Sequence, residues 1–307
     1  MISICVVTLN YFSDKKTICL INSLIDLEGL GNNFQIDMVI VDNGSTDQYL
    51  LNYLRKEYQF KFTNNVFRPN LFLSIQYFFS ENNLGFSAGC NMGYELLKSK
   101  KPDFLFFVNN DATLAKNCLL ELINNHNKNK TKDRILSPYI LKTNNKEPWF
   151  EGGVYNPILG YTSHVPYAFF KQKTNKYLSG CALFMPTEIF LELGGFNESY
   201  FFYGEDLDFS IRASKKGKLL DVCKSAVAYH EGGGSIGKKT REAYFYYVSG
   251  SLGVFLSHRP LIFWPLFVGR HLLKLFLLII LFRINKNSAA GYLEGIVDAF
   301  TKHANRK

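Results

Sequence analysis

Val39-Ile40-Val41-Asp42-Asn43-Gly44-Ser45-Thr46-Asp47 is a β-branched run that stops abruptly in polar residues. Apolar from Ile36 to Val41, it fits a strand buried on both faces, the habit of strands in a parallel sheet. Gly44 permits a tight turn, and Ser45-Thr46-Asp47 can cap a following helix. The same grammar recurs on either side. Ile2 to Leu9 is a buried strand ending in Thr8 and Asn10. After it, Ser13 or Asp14 can cap a helix whose Ile18, Ile21, Leu24 and Ile25 recur at helical spacing. Phe72 to Phe79 reads as a third strand and Phe86 to Lys98 as a helix. Phe104 to Val108 is a strand ending in Asn109-Asn110-Asp111, and Ala115 to Asn125 a helix. This alternation predicts an α/β fold with a largely parallel sheet and right-handed crossovers. Ligands of such sheets bind beyond the carboxyl ends of the strands, where these polar clusters fall.

Further along, Thr143 to Lys176 is irregular, a length of connection that is usually functional. Its aromatic part runs from Trp149 to Phe170 and could form part of a ligand-facing wall. Leu178 to Met185 returns to strand character, and Phe201 to Gly217 reads as a loop leading into a helix.

The chain has 307 residues, 47% hydrophobic, and a net charge of +9. Those proportions allow one large core and favour anionic partners. Six cysteines without metal-site spacing, and an N-terminus that enters a strand directly, point to a reducing, cytoplasmic setting. Leu261 to Phe282 is almost wholly apolar and long enough to cross a bilayer, but Arg270, His271 and Lys274 sit in its middle. Central cations are costly in a spanning helix, so the balance falls toward helices lying on an anionic membrane surface. A helix packed on protein is the plainer alternative. Basic residues accompanying an apolar stretch fit a lipid surface better than nucleic acid.

Five features bear on chemistry. Asp42 at a strand end can accept from a base N–H or a sugar hydroxyl. Asn83-Leu84-Gly85-Phe86-Ser87-Ala88-Gly89-Cys90-Asn91 puts small residues at a helix start, where chain can approach a diphosphate, although the spacing GxGxxG is missing. Asp111 delivered by a strand suits a hard divalent cation bridging phosphate oxygens. Downstream come Tyr203-Gly204-Glu205-Asp206-Leu207-Asp208 with Arg212, and then His230-Glu231-Gly232-Gly233-Gly234-Ser235. The imidazole can complete a metal site, and the glycines allow a loop whose N–H groups close on phosphate.

In this order the motifs resemble the inverting family 2 glycosyltransferases of GT-A fold, particularly the bacterial rhamnosyltransferase-like branch, from Ile2 to about Ser235. The resemblance implies a GT-A (Rossmann-like) catalytic domain over residues 1–240, with a nucleotide-binding half (1–130) and an acceptor half (131–240). Residues 241–307 would be a helical, membrane-associating extension. It implies that Thr8, Asn10 and Asp42 contact the nucleoside, and that Asn43, Gly85, Asn91, Asn109 and Asn110 complete the nucleotide-sugar site. Asn109-Asn110-Asp111 takes the place of a DxD motif, with Asn109 where the first acid stands. Asp111, helped by His230, would bind Mg²⁺ or Mn²⁺. Asp206 would be the general base, with Glu205 and Asp208 raising its pKa by like-charge repulsion and Trp149 on the acceptor side. The donor would be a nucleoside-diphosphate sugar, dTDP-rhamnose or a UDP-sugar, and the acceptor a glycan or lipid-linked glycan. A processive synthase would need a QxxRW motif and several spans, which are missing. A non-catalytic nucleotide-binding or membrane-scaffold protein has no use for Asp111, Asp206 and His230 together.

Overall fold

The computed structural model describes residues 1–46, 48–58, 65–128, 133–232 and 240–304. In the first half these form β1 (Ile2–Asn10), α1 (Asp14–Ile25), β2 (Phe34–Asn43), α2 (Tyr49–Glu57), β3 (Val66–Asn70), β4 (Leu73–Ser80), α3 (Gly85–Leu97), β5 (Phe104–Val108), β6 (Ala112–Leu114) and α4 (Cys118–Lys128). The next stretch adds β7 (Arg134–Lys142), β8 (Pro148–Phe150), β9 (Gly153–Asn156), β10 (Tyr161–His164), α5 (Tyr167–Lys171), β11 (Lys176–Tyr177), β12 (Ala182–Pro186) and α6 (Thr187–Leu193). The chain then continues with α7 (Glu205–Lys215), β13 (Leu219–His230), α8 (Arg241–His258), α9 (Trp264–Ile280) and α10 (Lys286–Ala304). Asp47 and the Gly233-Gly234-Ser235 run lie outside the described residues.

One sheet organises the molecule, in the order β3-β4-β2-β1-β5-β12-β7-β13-β6, with β8 beside β7. β4, β2, β1 and β5 are parallel, as the β-branched runs predict. Beyond β5 the sheet is mixed: β12 runs antiparallel to β5 and β7, while β13 is parallel to β7. The aromatic layer beneath it is continuous, Phe107 lying 5.0 Å from both Phe190 and Phe196, and Phe196 4.9 Å from Phe209, between ring centres. Burying each such side chain stabilises the fold by about 1.5–3 kcal/mol.

Two expectations shift. Strand character read from Leu178 begins only at Ala182, because Ser179, Gly180 and Cys181 turn into the cavity described below. The irregular stretch after Thr143 is built: β10, β9 and β11 form a small second sheet, with α5 behind it.

The C-terminal helices are docked on this body. α8 buries Val248, Leu252 and Phe255, and Gly250 lies so close to the Tyr203-Gly204 turn that a Cβ there would stand 2.0 Å from the Tyr203 carbonyl oxygen. On α10, Gly291 and Gly295 meet the backbone of α8 in the same way. α9 buries Phe267, His271 and Leu275 and leaves Leu273, Phe276, Ile280 and their neighbours exposed. Leu261–Ile280 is long and apolar enough to cross a membrane, and little of it is buried.

Candidate active site

The carboxyl ends of β1, β2 and β5 open onto a cavity of about 570 Å³. Val7, Leu9 and Tyr11 form one side of it, with Asn43, Gly85 and Phe86 beside them. Asn109, Asn110 and Asp111 line it from β5, Trp149 and His230 from the second half of the sheet. Gly180, Glu205 and Asp206 close another side, and Tyr244 and Tyr247 of α8 supply a wall.

Beneath this floor lies a polar network. Asn10 donates through Nδ2 to Asp14 (2.7 Å) and Asp42 (2.9 Å), and accepts from Thr17 at 2.7 Å. Asp42 also accepts from the Ser45 N–H at 2.8 Å and the Tyr77 hydroxyl at 2.9 Å. Asn110 joins it through Thr17 at 3.0 Å. Thr8, Asn10 and Asp42 are fully buried and do not line the cavity; Asn10 and Asp42 brace the strand ends that do, while the Thr8 hydroxyl is left without a hydrogen-bond partner. Tyr11, Asn43 and Asn83 do line the cavity; of these, only Asn43 was expected there as a site residue.

Asn43 donates to the Gly85 carbonyl at 3.1 Å, while its own Oδ1 is buried without a hydrogen-bond partner. Gly85 starts α3 at φ +75°, and a Cβ there would lie 2.4 Å from the Phe201 carbonyl oxygen. The position therefore demands glycine for both conformation and space. Asn91, expected at the donor, sits elsewhere. Its amide spans the Phe196 backbone and the Glu198 carboxylate, clamping α3 to the turn before α7.

At the metal position, His230 Nε2 lies 3.0 Å from Asp111 Oδ1. The other imidazole nitrogen is buried and unpartnered, and the Trp149 ring packs edge-on at 4.3 Å. Among the described residues no group of three or more carboxylate, imidazole or thiol side chains converges. A carboxylate and an imidazole still fit a Mg²⁺ or Mn²⁺ ion whose remaining ligands are phosphate oxygens and water. Glu231, next along, pairs with Lys16 of α1 at 2.8 Å and ties the end of β13 to the first helix.

Glu205 and Asp206 begin α7 after Gly204, whose φ of +92° turns the chain into the helix. Asp206 accepts from the Gly180 N–H at 3.1 Å and the Leu207 N–H at 2.7 Å. Burial raises its pKa, and those two N–H donors offset part of the rise. Glu205 has one oxygen buried without a partner; burial first, then the Asp206 charge, hold its carboxyl well above the usual range. Desolvation, rather than repulsion from neighbouring acids, is therefore what perturbs Asp206. Asp208 takes no part. It is buried on the far side, bonded to Arg212 at 2.7 Å and His258 at 2.7 Å. Burial alone would raise its pKa, but these partners outweigh it and the carboxyl lies below its ordinary value.

A family model, "Glycosyl transferase family 2", matches residues 3–193. The low-salt glycan biosynthesis hexosyltransferase Agl10 of Haloferax volcanii is 29% identical over 161 residues, covering 51% of this chain and 52% of that protein. The chain thus spans about half the length of that curated relative. Among solved structures, S. aureus TarS 1-349 in complex with UDP-GlcNAc superposes with a TM-score of 0.58 at 17% identity, over 98% of this chain and 82% of that one. GalNAc-T7 with UDP, GalNAc and Mn²⁺ gives 0.60 at 16% identity, over 84% of this chain and 48% of that one. These superpositions establish the GT-A fold. With the family model spanning most of the sheet and the cavity at its strand ends, the chain belongs to glycosyl transferase family 2.

Proposed function

We propose that the chain transfers a single sugar from a nucleoside-diphosphate sugar to a lipid-linked glycan at the cytoplasmic face of a membrane, with inversion. The observation that carries this reading is the convergence of Asp206 and the Asp111–His230 pair on one cavity. Asp206 is the general base: of the two carboxyls at the start of α7, it has backbone N–H donors on both oxygens to stabilise the ionised form, whereas Glu205 has one oxygen unpartnered. It takes the proton of the acceptor hydroxyl as that oxygen forms its bond to the anomeric carbon. The bond from that carbon to the diphosphate breaks on the opposite side, so configuration inverts. Burial holds the Glu205 carboxyl well above the usual range, which disfavours a second negative charge in the site. Asp111 and His230 would hold Mg²⁺ or Mn²⁺, which when bound supplies positive charge to the diphosphate. Asn43 and Asn109 line the donor side with neutral hydrogen-bonding groups, and Trp149 with Tyr244 and Tyr247 offers the apolar faces that sugar rings stack on.

Two UDP-bound structures share the fold, and the motif order resembles the rhamnosyltransferase branch, so UDP- and dTDP-sugars are the donors to test first. The exposed apolar face of α9 supports peripheral membrane contact and hence a lipid-linked acceptor. Thermal shift against UDP, dTDP, GDP and CMP, each with Mn²⁺, Mg²⁺ or EDTA, tests the donor half. A metal-dependent rise with one diphosphate supports it by mass action. No rise with any nucleotide from folded protein would overturn it.

A further inference from the structure

Arg270, His271 and Lys274 interrupt the apolar run of α9. The helix turns His271 inward toward α10 and leaves Arg270 and Lys274 half-buried at the border between its protein-facing side and its exposed leucines, Lys274 reaching α8. His271 is buried, with Nδ1 3.0 Å from the Tyr292 hydroxyl. Burial first, then the charges of Arg270 and Lys274, push its pKa down to about 3, so it stays neutral.

The two cations are less completely satisfied. Arg270 reaches His271 Nε2 at 3.0 Å with one terminal nitrogen, but its Nε is buried without a hydrogen-bond partner. Lys274 Nζ donates to the Tyr247 hydroxyl at 3.2 Å and lies 4.7 Å from the centre of that ring. Among the described residues neither has a carboxylate partner. Half-buried cations without counter-charge are costly unless a ligand supplies it. Tyr247 is also a wall of the catalytic cavity, and its ring lies 6.0 Å from that of Tyr203, close before Glu205 and Asp206. Accepting from Lys274, its hydroxyl keeps a hydrogen to donate.

We propose that Arg270, Lys274 and Tyr247 form the seat for the phosphate groups of a bilayer-anchored acceptor, whose sugar end then reaches Asp206. Four residues apart, the two side chains leave the same face one helical turn apart, their Cβ atoms about 5–6 Å from each other, so both can reach one pair of adjacent phosphates. The exposed leucines of the same helix put hydrocarbon directly alongside, which favours a lipid over a soluble phosphate. The proposal rests on the reading that the acceptor is lipid-linked.

Its test is co-sedimentation with phosphatidylcholine vesicles, plain, doped with geranylgeranyl diphosphate, or doped with phosphatidylglycerol to the same charge. Wild type should bind the diphosphate-doped vesicles at least about tenfold more tightly than phosphatidylglycerol vesicles of the same charge, a difference of about 1.4 kcal/mol beyond general surface attraction. Arg270→Gln with Lys274→Gln should lose that increment while still binding plain vesicles. The charge-keeping pair Arg270→Lys with Lys274→Arg should retain it, which separates lost charge from lost fold. An increment that survives the Gln pair, or one matched by phosphatidylglycerol, overturns the seat. If wild type binds no vesicle, the membrane reading fails and the seat is judged by inorganic pyrophosphate alone. Protection of Lys274 from acetylation then upholds an anion site, and its absence overturns that as well.

Discussion

Asp206 and Glu205 are neighbours with the same charge and the same burial, yet the structure gives only Asp206 N–H donors to both carboxylate oxygens. Asp206→Asn should therefore lower kcat on the order of 10²–10⁴-fold while donor affinity, read by calorimetry, changes little. Because burial raises the Asp206 pKa, the acid limb of the wild-type pH–rate profile should lie above the ordinary carboxylate value of about 3.9. Glu205 makes a second pH prediction, on stability. Its folded-state pKa is above its unfolded one, so the folded protein holds a proton that the unfolded chain releases. Stability is then lost as pH rises from about 4.3 toward the raised value. Glu205→Gln removes the proton that can be lost. Its melting temperature should exceed that of wild type by a margin that grows with pH across this window and closes below it. Parallel melting curves at every pH would contradict the assignment.

Elements meet at glycines where the site is set. The Tyr203-Gly204 turn aims the start of α7, and α8 presses on it through Gly250 with no room for a methyl group. Gly250→Ala should destabilise by about 1–3 kcal/mol, since overpacking there must displace backbone. The same displacement moves Asp206 and Tyr247 together, so kcat should fall more than donor binding weakens, measured on variant protein that remains folded. The Lys16–Glu231 pair does comparable work at the other end, linking α1 to the end of β13 beside His230.

At the scale of the whole molecule, α9 is inside out relative to a helix facing water: His271 is buried, Arg270 and Lys274 are half-buried, and the leucines turn out. Leu273 and Phe276 are each 58% exposed and make an adjacent apolar pair on that outer face. Leu273→Glu with Phe276→Glu should release the protein from phosphatidylcholine vesicles in a flotation assay. Surface changes of this kind leave stability within about 0.5 kcal/mol, so an unchanged melting temperature should accompany the release. Retained flotation would argue for a packed or dimer-forming helix.

The parallel half of the fold was legible because β-branched runs such as Val39–Val41 have one use, and polar residues at their ends mark where a ligand site must open. Asp111, Asp206 and His230 were legible for the same reason, as polar groups at element ends in a fixed order. Asp42 and Asn10 looked like nucleoside ligands, but they are consumed by one another and by Tyr77, and only packing reveals that a polar side chain's hydrogen bonds are already spent. Asp208 could not be told from Asp206 by spacing; two steps along the helix turn it from the cavity to Arg212 and His258. Tyr247 and Lys274 meet across 27 positions of sequence. Local pattern thus determined the sheet, the edge at which its cavity opens and the order of the polar groups that line it. Tertiary structure alone decided which polar groups remain available to a ligand and which face of α9 meets protein, because both depend on contacts between residues far apart in the chain.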